Sequence, residues 1–131
     1  MIYRYTILYV ANVPATLTFY AAAFGMPTAF LHEGQDYGEL DTGGTRLAFS
    51  SHALMASIGK DVATRPPAKP SFELAFETDD VVAAMARALA AGAELVQPPQ
   101  AMPWGQTIAY VRTLDGSLVE LCTPVETTEP A

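Results

Sequence analysis

The strongest constraint on this chain is that its pattern runs twice. Tyr5–Val10 is a run of strand formers, and Asn12 then offers a helix N-cap with Pro14 tolerated in the first turn. Leu17, Tyr20 and Phe24 recur at helical spacing, and Gly25 stops the helix. Strand-like runs follow at Thr28–His32, Tyr37–Thr42 and Thr45–Ser51, the last two joined at Gly43-Gly44. Ser51–Lys60 is expected as a short helix or irregular crossover, and Ala63–Pro70, with Pro66, Pro67 and Pro70, as a linker. The order then begins again. Glu73–Thr78 reads as a strand, Asp80 as a cap, and Val82, Met85 and Leu89 as the apolar stripe of a second helix that Gly92 stops. A short strand at Glu94–Val96 and a loop at Gln97–Trp104 lead to a last pair of strands. Tyr5 stands to Asn12 as Glu73 to Asp80, and Gly44 to Ala48 as Gly116 to Glu120. The expectation is an α+β fold of two tandem βαβββ modules. Module one covers about 3–62, the linker about 63–70, module two about 71–124 and a flexible tail 125–131.

The last two strands carry the chemistry. Thr107–Arg112 and Leu118–Cys122 are β-rich runs joined through Leu114-Asp115-Gly116-Ser117, and Asp-Gly tolerates the left-handed backbone of a tight hairpin turn. Side chains alternate along a strand, so Leu118, Glu120 and Cys122 share one face, while Val119 and Leu121 share the other. Glu120 is a carboxylate in mid-strand among apolar neighbours, where an ionised group is costly unless it pairs, binds a cation or neutralises. Trp104 sits just upstream in the Pro/Gly-punctuated stretch Met102-Pro103-Trp104-Gly105-Gln106. Carboxylate, tryptophan and turn together point to a ligand site.

Composition narrows the function classes. A chain of 131 residues, half of them hydrophobic, is one domain's worth with a real core, which excludes a disordered chain. No apolar run reaches the roughly 20 residues of a membrane span, and Met1–Tyr5 lacks a signal-peptide pattern. The single cysteine, Cys122, cannot form an intrachain disulfide, which fits a cytoplasmic setting. A net charge of −7 argues against a nucleic-acid surface and is compatible with a cationic or neutral small molecule. An acidic surface that simply keeps the protein soluble explains the same number.

The segment from Pro103-Trp104-Gly105 through Asp115-Gly116 to Glu120-Leu121 resembles the signature hairpin of the vicinal oxygen chelate superfamily, which includes glyoxalase I, bleomycin-resistance proteins and extradiol dioxygenases. Leu114 stands where that pattern has Pro, and Ser117 where it has Asn. The paired βαβββ modules resemble its architecture from Tyr5 to Pro124. Each module is expected to turn one sheet face to its helix and to line a concave cup with the other. Thr6, Leu8 and Val10 would face the helix, leaving Tyr5, Ile7 and Tyr9 on the cup; Phe72, Leu74 and Phe76 would be the greasy face opposite Glu73, Ala75 and Glu77.

The resemblance implies that Tyr5, Ala48, Glu73 and Glu120 occupy the positions where the superfamily's metal enzymes carry His, Glu or Gln ligands. Ala48 has no donor atom, Tyr5 would have to bind as a phenolate, and two carboxylates suit Zn²⁺, Ni²⁺ or Fe²⁺ poorly. A hydrated Mg²⁺ or Mn²⁺ remains conceivable. His52, at the end of its strand, is a further donor that could swing in, although a histidine there is more often an exposed loop residue; His32 receives no role. Glu73 and Glu120 are read either as solvated surface acids or as a pair converging beneath Trp104, holding a cation or sharing a proton as acid/base groups. By resemblance to the bleomycin-resistance branch, Trp104 offers a flat face to a planar or cationic ligand, with Tyr5, Tyr9 and Tyr110 adding to the wall.

The expectation is a metal-free binding protein that sequesters an aromatic or cationic small molecule at Tyr5, Tyr9, Ala48, Glu73, Trp104, Tyr110 and Glu120, without cofactor. The alternative is a divalent-metal-dependent lyase, isomerase or dioxygenase with an atypical ligand set. Metal-free acid–base catalysis by Glu73 and Glu120 is a further possibility. The resemblance also implies a homodimer, with no nucleic-acid or membrane partner.

Overall fold

The computed structural model describes residues 1–125. Apart from Val125, the expected tail lies outside the described residues. The chain divides into two compact units, Met1–Pro66 and Pro67 onward.

Unit 1 runs β1 (Tyr5–Val10), α1 (Val13–Phe24), β2 (Thr28–Leu31), β3 (Tyr37–Leu40), β4 (Arg46–Ser51) and α2 (His52–Ser57). Its four strands form one sheet in the order β1-β4-β3-β2, with β1 and β4 parallel and the remaining pairs antiparallel. Asn12 starts α1 as expected, its Oδ1 accepting the N–H of Ala15 at 3.0 Å, and Gly25 ends it at φ 70°. Val13, Leu17, Phe19, Tyr20 and Ala23 are buried along this helix. The Tyr20 ring meets Phe49 of β4 at 4.9 Å between centroids and Phe24 at 5.4 Å, so the core of this unit is an aromatic cluster. Gly38 of β3 lets α1 approach: a Cβ there would stand 2.8 Å from Leu17 Cδ1.

Unit 2 repeats the plan with β5 (Leu74–Glu77), α3 (Val81–Ala90), β6 (Glu94–Ala101), β7 (Thr107–Arg112) and β8 (Leu118–Cys122). Its sheet order is β5-β8-β7-β6, again with a parallel pair, β5 and β8, and antiparallel pairs beyond it. Asp80 caps α3 as Asn12 caps α1, accepting from Ala83 N–H at 3.0 Å. The two tandem βαβββ modules of an α+β fold are therefore present, with the strands and helices in the order the repeat predicts.

Some local expectations are corrected. The buried stripe of α3 is Val81, Met85 and Ala88, whereas Val82 is 67 % and Leu89 37 % exposed. The cap at Asp80 fixes the phase of the helix, and small Ala88 allows close approach where Leu89 had been expected inside. The strand at Glu94–Val96 extends to Ala101 and absorbs most of the expected Gln97–Trp104 loop. Pro98 and Pro99 are tolerated because β6 is an edge strand, and its pairing with β7 shifts register on both sides of Gln97. Phe72 precedes β5 and is exposed rather than part of the greasy face. Among the described residues, no helix is long and apolar enough to cross a membrane.

Candidate functional site

The hairpin of β7 and β8 is fixed by its turn. Thr113 and Gly116 are joined by a 3.0 Å backbone bond, and Gly116 has φ 87°, the left-handed conformation that asks for glycine. Asp115 collects the hydroxyls of Thr113 at 2.6 Å and Ser117 at 2.5 Å. Ser117, a departure from the expected Asn, is thus used by the turn itself.

Register then places the cup face of unit 2. Glu120 lies between Ala75 on β5 and Tyr110 on β7, so all three side chains leave the sheet on the same side. Val119 and Leu121 are buried on the opposite face against the helix. Tyr110 donates its hydroxyl to Glu120 Oε1 at 3.4 Å, a long bond, which settles its facing toward the cup. Glu73 stands one residue before β5, exposed, and by alternation on the side of Ala75. Burial first, and then the Glu73 charge, push the Glu120 carboxyl above its ordinary range, while the Tyr110 hydrogen bond partly offsets this. Burial and the charges of Glu120 and Glu73 raise the Tyr110 phenol in turn. The Cys122 thiol is also raised, by burial and then by Glu120, and donates to the Phe76 carbonyl at 3.7 Å. Among the described residues neither Glu73 nor Glu120 belongs to an ion pair. Arg112, the nearest cation by register on this face, turns Nη1 to the Gly116 carbonyl at 3.4 Å.

Trp104 lies in the loop between β6 and β7, 60 % exposed, with its indole N–H donated to Gln106 Oε1 at 2.7 Å. Gln106 donates in turn to the Thr123 carbonyl at 2.8 Å, so the loop is tied to the end of β8. From Thr107 to Tyr110 the strand rises about 10 Å, which sets the distance along β7 between the base of the Trp104 loop and the Tyr110–Glu120 pair.

Unit 1 has its own cup face. Tyr5, Ile7 and Tyr9 of β1 are 45 %, 42 % and 40 % exposed, whereas Thr6, Leu8 and Val10 turn toward the helix. Their register partners on β4 are Arg46, Ala48 and Ser50. Ala48, between Ile7 and Glu39, is fully buried, so it forms the floor of this face and not an accessible lining. Three residues unnoticed in the sequence gather here. Tyr37 donates to Glu39 Oε2 at 2.8 Å, and Arg46 Nε stands 3.9 Å from Glu39 Oε1. Burial, the bond to Glu39 and its charge drive the Tyr37 phenol far above its usual range. The signal was the alternation of Tyr37 and Glu39 with Gly38 and Leu40 along a short strand. His52 directly follows the end of β4 as the first residue of α2, behind the Ser51 N-cap. His32 contacts Asp36 at 3.0 Å in an exposed turn.

These observations define a duplicated βαβββ protein with a carboxylate on the last strand of its second module. A family model for the Glyoxalase/Bleomycin resistance protein/Dioxygenase superfamily matches residues 2–121, and the chain belongs to that superfamily. Among solved structures, a glyoxalase-related enzyme from Fulvimarina pelagi is 27 % identical, with TM-score 0.78 over 92 % of this chain and 86 % of that one. A glyoxalase/bleomycin resistance protein/dioxygenase family enzyme from Burkholderia phytofirmans PsJN shares the fold at 20 % identity, with TM-score 0.75 over 96 % of this chain and 100 % of that one. TioX from Micromonospora sp. ML1 is 23 % identical, with TM-score 0.71 over 94 % and 98 % of the two chains. No curated protein matches the sequence.

The divalent ion of the superfamily's metal enzymes does not fit the residues at the corresponding positions. Ala48 brings no donor atom and no exposed surface, and Tyr5 would have to ionise. The two carboxylates that remain are hard oxygen donors without a nitrogen or sulfur partner. Among the described residues, no group of three or more His, Cys, Asp or Glu is placed to hold a metal ion.

Proposed function

We propose that this protein is a metal-free binding protein that holds a small ligand with a cationic group and an aromatic ring on the cup face of unit 2. The observation that carries this reading is Glu120. It is a half-buried carboxylate with a tyrosine hydroxyl and a second carboxylate around it, and with no cationic side chain paired to it among the described residues. A positively charged ligand relieves that repulsion and takes a charge-assisted hydrogen bond. Trp104 supplies an exposed flat ring in the loop that leads into β7. The net charge of −7 favours the encounter with a cation.

Elemental analysis of the purified protein is expected to find no stoichiometric Zn, Ni or Fe. About one such ion per chain, lost on Glu73→Ala or Glu120→Ala, would overturn the metal-free reading and favour a lyase, isomerase or dioxygenase. The same reading takes the protein as a homodimer, because β1 exposes Tyr5, Ile7 and Tyr9 together. Light scattering at twice the chain's 14.0 kDa is the expected result, and a monomer over the micromolar range contradicts it.

A further inference from the structure

The two oxygens of Glu120 have different duties. One, Oε1, accepts the Tyr110 hydroxyl at 3.4 Å. The other, Oε2, has no hydrogen-bond partner among the described residues. It is not screened from solvent either, since Arg46 Nη1 is the one buried side-chain nitrogen or oxygen among those residues that lacks a partner. Half of this carboxylate is thus held by the protein, and half is open to an incoming donor.

That division selects among cations. A guanidinium or amidinium is a planar fork that wants both oxygens of one carboxylate, and Tyr110 occupies one of them. A quaternary ammonium has no N–H to donate and depends on aromatic faces around it. The row across the sheet offers it Ala75 on one side of Glu120 and Tyr110 on the other, one ring and no cage. A primary ammonium spreads three N–H donors around a compact charge. One donor can take Glu120 Oε2 and leave the Tyr110 bond in place. Another can turn to Glu73, which is exposed on the side of Ala75 and whose charge bears on both Glu120 and Tyr110.

We propose that the cationic group of the ligand is a primary ammonium, held between Glu120 Oε2 and the Glu73 carboxylate, and that Tyr110 disfavours planar cations by keeping Oε1. The inference rests on the reading of unit 2 as a cation site and adds the class of cation and the residue that selects it.

The test is calorimetric titration of the whole protein with 4-phenylbutylammonium, its N,N,N-trimethyl derivative, 4-phenylbutylguanidinium and neutral 4-phenylbutanol. The primary ammonium is expected to bind about tenfold more tightly than either other cation, the worth of one charge-assisted hydrogen bond. Glu73→Gln should narrow its lead over the trimethyl compound. Tyr110→Phe frees Oε1 and should bring the guanidinium up to the ammonium, whereas loss of a merely structural phenol would weaken both alike. Three cations of equal affinity, all tighter than the alcohol, overturn the proposal and leave the cation reading standing. A lead over the guanidinium that survives Tyr110→Phe overturns it as well. No cation tighter than the alcohol contradicts the cation reading itself, and the proposal with it.

Discussion

The two cups share a topology and differ in charge. In unit 1 the central row across the sheet is Ile7, Ala48 and Glu39; in unit 2 the same row is Ala75, Glu120 and Tyr110. Each row contains one carboxylate, but on a different strand. Glu39 is held by Tyr37 from its own strand and faces the Arg46 guanidinium, whereas Glu120 is held by Tyr110 from the next strand and faces the Glu73 charge. The cores differ as well. Tyr20, Phe24 and Phe49 fill unit 1 with rings, while Val81, Met85 and Ala88 pack α3 with small or flexible side chains. What is kept between the modules is the capped helix and the sheet order; what varies is the face that the helix does not cover. That division leaves the cup free to change its chemistry without disturbing the fold.

Truncation of a buried side chain in each unit tests how far the two cores differ. Tyr20→Ala removes a fully buried ring and is expected to cost about 3–5 kcal/mol in denaturant unfolding. Met85→Ala in α3 is expected near the lower end of the roughly 2–5 kcal/mol that such truncations cost, because a flexible side chain among small neighbours leaves a site that collapses more readily. Equal losses would show that the aromatic cluster is not the stronger core.

The contrast between the carboxylates gives smaller effects with opposite signs. Glu120 binds its proton more tightly folded than unfolded, since its pKa is raised above 4.5. Its ionisation therefore opposes folding: stability falls as pH rises from the unfolded value through the folded one. Glu120→Gln should raise the melting temperature at neutral pH, and the gain should disappear below about pH 4, where both forms are neutral. Glu39→Gln should instead lower stability slightly at neutral pH, because it removes the charge that faces Arg46 in a partly buried pair. A Glu120→Gln variant that melts earlier than the wild type at neutral pH would mean that the site around Glu120 is not strained by charge.

Much of this organisation was legible in the sequence, for identifiable reasons. Asn12, Gly25, Asp80 and the Asp115-Gly116 turn state their roles locally, through caps and a left-handed backbone, and each sits where it was expected. The phase of α3 was missed because Val81 and Val82 are adjacent and equally apolar, and only packing decides which turns inward. The length of β6 was missed because Pro98 and Pro99 suggest a loop, while an edge strand can spare their N–H groups. On the cup, Glu120 stood out as a charge among apolar residues, and Tyr110, expected on the wall of the site, is seen as its partner once the register is known. Tyr37 and Glu39 gave only the alternation with Gly38 and Leu40, and they join Arg46 as a group only when β3 and β4 are paired.

On the proposed reading, unit 2 takes a cation at Glu120 without a metal. Titration of chelator-treated protein with 4-phenylbutylammonium and its neutral analogue 4-phenylbutanol tests it directly. The wild type is expected to prefer the ammonium at least tenfold and to lose that preference as pH falls through the raised pKa of Glu120. Glu120→Gln should abolish the preference at neutral pH, and Trp104→Ala should weaken both ligands by about 0.5–1.5 kcal/mol, the worth of a ring contact. Equal affinity for the two ligands in the wild type, or a preference that survives Glu120→Gln, would contradict the account.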